Sequence, residues 1–203
     1  METRLLGRSG LRVSLLGFGC VELGIPYGIG VRSRADMLSD DQAVALLQES
    51  LERGLTFYDT APSYGTSEAL LGRAFADRRQ RVVLCSKCPG LTREDGRVLA
   101  RGALRDRLMP SLEASLKALR CDALDILMLH RVDEAVIAND EVAELLADLK
   151  AQGLIRATGA STYPGGQTGR VIASRRWDVI QIALNLLDQR EAAWLDAAAA
   201  AGI

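Results

Sequence analysis

Leu124-Asp-Ile-Leu-Met-Leu-His130 is a short apolar run of the kind that forms a strand covered on both faces, and it ends in the only histidine of the chain. Beyond it, Val142, Leu145, Leu146 and Leu149 fall at i, i+3, i+4 and i+7, which is one apolar stripe of a helix. Asn139-Asp140 offers that helix a cap with acidic residues in its first turn, and Gly153 stops it. A second apolar run, Ile155–Thr162, follows at once. Strand, helix and strand in this order predict one parallel βαβ unit.

The same alternation extends in both directions. Leu15–Cys20, Thr56–Thr60, Val82–Lys87 and Val179–Asn185 are further strand candidates, rich in Val, Ile, Leu or aromatic residues. Val44, Leu47 and Leu51 mark a helix whose start is signalled by Ser39 with Gln42, a capping box, and whose end is signalled by Gly54. An Ala197–Ala201 helix comes last. Ahead of the first strand, two short extended segments flank a Gly7 to Gly10 turn.

Two architectures satisfy this pattern: an open doubly wound sheet, and a closed (β/α)8 barrel of about 250 residues. At 203 residues the length favours the open sheet. The phosphate loop does not: Gly17-Phe-Gly19-Cys-Val-Glu22 has the first two glycines of GxGxxG and a glutamate at the third.

Composition bounds the function. Lys plus Arg number 25 and Asp plus Glu 26, a net charge of −1, so the positive excess needed to hold a nucleic-acid backbone is missing. The apolar runs are too short to span a bilayer, and the start lacks the apolar core of a secretory signal, which predicts a cytoplasmic protein with reduced thiols. Cys85-Ser-Lys-Cys88 matches CxxC, yet on a strand its two thiols would point to opposite faces, and no metal shell is legible.

The informative departures are polar residues at the ends of apolar strands, because a buried charge is costly unless paired or used. Asp59 closes the second strand, Tyr64 lies in the loop after it, Lys87 closes the third and His130 the fourth. Val83, Cys85 and Lys87 share one face of their strand, as do Ile126, Met128 and His130 of theirs. Singly, these residues have plain structural readings: a turn aspartate, a solvated strand-end lysine, a core histidine, a surface tyrosine. Together at the carboxyl ends of successive strands they form an acid with its tuner and no nucleophile. A tyrosine ordinarily titrates near pH 10, and an adjacent ammonium favours its phenolate. Such a set fits a carbonyl whose oxygen receives a proton while its carbon receives hydride from a cofactor.

These residues resemble the aldo-keto reductase family. Phe57-Tyr-Asp-Thr-Ala-Pro-Ser-Tyr64-Gly-Thr-Ser-Glu68, with Leu71-Gly72, is similar to the family signature around its catalytic aspartate and tyrosine. Val82–Lys87 looks like its lysine strand, Leu124–His130 like its histidine strand, and Leu6–Ser14 like the hairpin that plugs the barrel bottom in bacterial members.

The resemblance implies an α/β fold of TIM (β/α)8 type. About six βα units fall within residues 1–203, read as one domain truncated at its C-terminal side, where two more units are expected. It implies Asp59, Tyr64, Lys87 and His130 as catalytic residues, with Tyr64 the proton donor. It implies NADP(H) or NAD(H) as cofactor, near Gly19 and Asp59, and Ser161 and Gln181 on the nicotinamide carboxamide. Thr162 stands in place of the family asparagine and is expected to keep that cofactor contact in a weaker form. The substrate would be a small aldehyde, ketone or sugar. The non-enzymatic alternative is a silent barrel fragment serving as a binding or regulatory module. Unpaired edge strands would favour homo-oligomers, and the long Val21–Asp40 connection is either a substrate loop or a plain insertion.

Overall fold

The computed structural model describes residues 1–130 and 132–203. An antiparallel hairpin, β1 (Thr3–Leu5) and β2 (Arg12–Ser14), opens the chain. Six parallel strands then pair strictly in chain order: β3 (Gly17–Gly19), β4 (Phe57–Asp59), β5 (Val83–Cys88), β6 (Leu124–Leu129), β7 (Ile155–Thr162) and β8 (Val179–Ile182). They form a curled half-barrel, six of the eight strands of a (β/α)8 barrel. The main connecting helices are α1 (Val21–Gly24), α2 (Asp40–Glu52), α3 (Ser67–Ala74), α4 (Arg101–Leu119), α5 (Glu134–Ala138), α6 (Asp140–Ala151), α7 (Gln167–Ser174) and α8 (Leu195–Ala200). None of them is long and apolar enough to cross a membrane.

The helix signals in the sequence hold. Ser39 Oγ accepts from the Gln42 amide at 3.3 Å while the Gln42 side chain accepts from the Ser39 amide at 2.9 Å, closing the capping box at the start of α2. Asn139 caps α6 through the Val142 amide at 2.9 Å, and Val142, Leu145, Leu146 and Leu149 are its buried face.

Strand alternation divides the core in two. Val83, Cys85, Ile126, Met128, Ala157 and Val179 pack inward with Leu11 and Val13 of the hairpin, which therefore closes the amino-terminal end of the half-barrel. Leu84, Cys88, Leu127, Leu129 and Ala160 face outward against the helices in the larger cluster. Each fully buried aliphatic side chain contributes about 1.5–3 kcal/mol. Polar ties add register to this packing. Ser14 and Thr56 exchange amide-to-hydroxyl bonds of 2.9 Å, and the Arg8 guanidinium donates to the carbonyls of Arg175 (2.6 Å) and Trp177 (2.7 Å) just before β8.

Three elements differ from the sequence expectation by two residues or more at one end. β3 begins at Gly17 instead of Leu15, because Leu15 and Leu16 are exposed in the link from the hairpin. β8 ends at Ile182 instead of Asn185, where the Asn185 side chain accepts from the amides of Leu187 and Asp188 and turns the chain away. The last helix is Leu195–Ala200 rather than Ala197–Ala201. Cys85 and Cys88 belong to opposite clusters and are free thiols, and burial pushes the Cys88 thiol up to about 12. No redox pair forms there.

Candidate active site

Asp59 is the last residue of β4, and the Lys87 side chain reaches it from β5. Register pairs Asp59 with Cys85, so Lys87 stands one inward position nearer the carboxyl rim. The Lys87 side chain is only 2% exposed, and its ammonium has three donors to satisfy. It makes three contacts: 2.6 Å to Asp59 Oδ1, 3.1 Å to the Thr60 carbonyl and 3.4 Å to Tyr64 Oη. Burial by itself lowers the lysine pKa. The Asp59 carboxylate opposes this by charge and by hydrogen bond and prevails, leaving the group above its ordinary value. Lys87 is therefore a resident cation at neutral pH.

Tyr64 is delivered by a stiffened loop. Its amide donates to the Ala61 carbonyl at 3.0 Å, its own carbonyl accepts from the Ser67 amide at 3.1 Å, and the Thr60 and Ser67 hydroxyls lie 2.8 Å apart. Gly24 at the end of α1 presses on this loop so closely that a Cβ there would sit 1.7 Å from the Tyr64 carbonyl oxygen. Gly65, at φ +57°, meets the Gly24 carbonyl from the other side, where a Cβ would lie at 2.3 Å. Only glycine fits at either position.

His130 follows the last residue of β6, and its ring stands edge-on to Tyr64 at 5.7 Å between centroids. Its pKa is lowered, first by burial and then by the Lys87 charge, against a smaller opposing pull from Asp59. The imidazole is neutral near pH 7. Pro89, Gly90, His130 and Tyr163 line an open cleft of about 510 Å3 over this side of the rim. The structure thus brings all four sequence-predicted residues, Asp59, Tyr64, Lys87 and His130, to one place.

The remaining candidates divide. Leu129 pairs with Ala160, which puts His130 level with Ser161, and Ser161 pairs with Gln181. Ser161 and Gln181 continue the inward rows of Ala157 and Val179. Gly19 pairs with Asp59 and has open space where a Cβ would be. Thr162 points the other way. Its hydroxyl is 2.8 Å from Thr168 on α7 and 3.3 Å from the Gln181 carbonyl, so the structure does not bring that side chain to the rim. The Val21–Asp40 connection folds as α1 and a short turn at Arg34–Asp36, and with Phe18, Gly19 and Leu46 it walls a cleft of about 360 Å3.

Sequence reasoning gave no role to Glu68. It is buried on α3 and accepts from the Ser86 hydroxyl at 2.6 Å, joining the helix after the Tyr64 loop to the strand residue before Lys87. Burial raises its pKa against the hydrogen bonds of Ser86 and Ser115. The signal was present: Glu68 lies at i−3 from the buried Leu71, on the apolar face of its helix.

Two outcomes follow for stability. Gly24→Ala is expected to cost about 3 kcal/mol in chemical denaturation, as overpacking against backbone does, whereas Gly102→Ala on the open face of α4 stays within about 1 kcal/mol. The pH dependence has opposite signs at two groups. Lys87, raised, stabilises fully below the unfolded lysine value of about 10.4 and loses this as pH rises through its folded value. His130, lowered, takes stability away as pH falls below the unfolded value of about 6.5, because the unfolded chain binds the proton more readily. Denaturation titrations should therefore show His130→Gln gaining on the parent as pH drops from about 7.5 to about 5.5.

The chain is similar to known proteins over most of its length. An L-galactose dehydrogenase of Arabidopsis thaliana is 32% identical over 171 residues, which is 81% of this chain and 49% of that protein. The aldo-keto reductase YhdN of Bacillus subtilis is 29% identical, with 93% of this chain and 55% of that protein covered. The holo form of aldo-keto reductase AKR11C1 from Bacillus halodurans superposes with a TM-score of 0.78 at 28% identity, over 100% of this chain and 64% of that one. The chain spans about half the length of the curated relatives it matches. Residues 15–203 match the Aldo/keto reductase family profile, and with the half-barrel and these relatives this establishes that the chain belongs to the aldo/keto reductase family.

Proposed function

We propose that the chain carries the site of a nicotinamide-dependent oxidoreductase acting on a small aldehyde, ketone or sugar, with Tyr64 as proton donor. The observation that carries this reading is the use of the Lys87 donors. With one N–H directed at Tyr64 Oη, the phenolic oxygen accepts from the ammonium, and its own O–H is left to donate outward to a substrate carbonyl. As that proton leaves, the ammonium holds the negative charge that the phenolic oxygen acquires. Asp59 keeps Lys87 charged and fixed. The neutral His130 imidazole donates to the same substrate oxygen and turns it toward Tyr64.

The residues present fit a nicotinamide. Its carboxamide needs both a donor and an acceptor. The Ser161 hydroxyl and the Gln181 side-chain amide supply both, side by side, and neither has a hydrogen-bond partner among the described residues. Gly19, bare beside Asp59, leaves room for a flat ring at the rim. Bound there, the nicotinamide supplies the hydride chemistry, and Ser161 and Gln181 orient it. The cofactor proposed is NADP(H), with NAD(H) the alternative that a titration of both separates.

Tyr64→Phe removes one hydroxyl and leaves the Lys87–Asp59 pair in place. It is expected to lower the rate of NADPH consumption with small aldehydes by about a hundredfold or more, with cofactor affinity held within about twofold. Equal rates in parent and variant would remove Tyr64 from its role. A parent chain that quenches no NADPH fluorescence up to millimolar concentration would leave a non-catalytic binding module as the better reading.

A further inference from the structure

The carboxamide residues Ser161 and Gln181 face each other across the β7–β8 pair, and among the described residues β8 pairs with β7 alone. What holds that pair lies on the opposite face of the sheet. Thr162, 2% exposed, is the last residue of β7, and Thr168, fully buried, is the second residue of α7. The Thr168 hydroxyl donates to the carboxylate of Glu191, itself 4% exposed in the segment that returns after β8.

Counting protons fixes the direction of the chain. Thr168 has given its one proton to Glu191, so its oxygen accepts the Thr162 hydroxyl at 2.8 Å. The Thr162 hydroxyl oxygen also lies 3.3 Å from the Gln181 carbonyl oxygen, so the same proton is shared in a three-centre contact. Thr162 thereby ties the peptide of Gln181 to the strand that carries Ser161. The neighbouring Trp194 packs its ring over Gly169 on α7, where a Cβ would come within 2.5 Å, so the returning segment is seated on the helix at two points.

We infer that Thr162 is a positioning residue, the head of a buried Thr162–Thr168–Glu191 clamp that fixes the spacing of Ser161 and Gln181 from behind the sheet without touching the cofactor. This rests on the assignment of Ser161 and Gln181 to the nicotinamide made above. It gives the threonine, which stands where the family resemblance implies an asparagine on the cofactor, a different task on the other face.

The test compares variants that remove or keep hydroxyls in the clamp. NADPH is titrated by fluorescence quenching against parent, Thr162→Val, Thr162→Ser, Thr168→Val and Ser161→Ala, and amide hydrogen exchange is followed at residues 179–183 without cofactor. Thr162→Val and Thr168→Val should each weaken NADPH binding about tenfold and speed exchange at Gln181 and Ile182, while Thr162→Ser stays within about twofold of the parent in both readouts. If Thr162→Val weakens binding and Thr168→Val does not, Thr162 touches the cofactor directly and the clamp is overturned. It is overturned as well if both valine variants exchange like the parent. Loss of binding in Ser161→Ala with none in the valine variants refutes the clamp and leaves the cofactor assignment standing, whereas parent-like binding in Ser161→Ala refutes that assignment itself. Should a valine variant fail to fold, the exchange of Thr162→Ser decides: parent-like protection supports the clamp, and exchange well above the parent overturns it.

Discussion

An ammonium group inside a protein must have each of its protons received, and Lys87 imposes that demand on everything around it. Asp59 at the end of β4 receives one proton, the Thr60 carbonyl a second and Tyr64 Oη the third. All three acceptors lie within six residues of one another, at the strand end and in the loop that follows, so satisfying the lysine also fixes that loop. The contact between Gly24 and Gly65 then follows from the same requirement, because the loop can take this path only if α1 passes it without a side chain. Removing one partner from a buried pair costs about 3–5 kcal/mol, which makes the site part of the fold's own stability.

The fold was legible in the sequence wherever periodicity carried it. Apolar runs became strands, and the division of Val83, Cys85, Ile126 and Met128 from Leu84, Cys88, Leu127 and Leu129 followed from alternation alone. What periodicity cannot carry is where pairing stops. Leu15 and Leu16 are as β-prone as their neighbours, yet they lie outside β3, because a strand ends where its partner ends, and that is a property of β4. The choice of a barrel over an open sheet was legible only in the glutamate at the third glycine position of the phosphate loop and in the resemblance, since both architectures otherwise have the same local grammar.

The four candidate catalytic residues could be read because each is polar at the end of an apolar run. Their supports were harder to read, since a serine, threonine or tyrosine inside a strand has no unusual look. Ser86 and Thr162 are ordinary strand residues, and Thr60 an ordinary residue just past β4, until the helix opposite supplies a partner. Glu68 was the exception in principle, a carboxylate on the buried face of its helix. Pattern alone does not say what a misplaced charge is for.

These supports share one logic that follows from the period of a strand. A side chain that points inward to the rim has neighbours that point outward to the helices, so the residue beside a candidate site residue is the one able to anchor it. Asp59 lies between Tyr58, whose hydroxyl is 2.9 Å from Ser50 on α2, and Thr60, whose hydroxyl is 2.8 Å from Ser67 on α3. Lys87 follows Ser86, held by Glu68, and Ser161 precedes Thr162, held by Thr168. Each helix thus fixes an inward side chain through a hydrogen bond to the residue next to it. A barrel rim built this way can change its inward chemistry at one position without disturbing its frame, and these polar bonds join each helix to the rim beside the apolar packing.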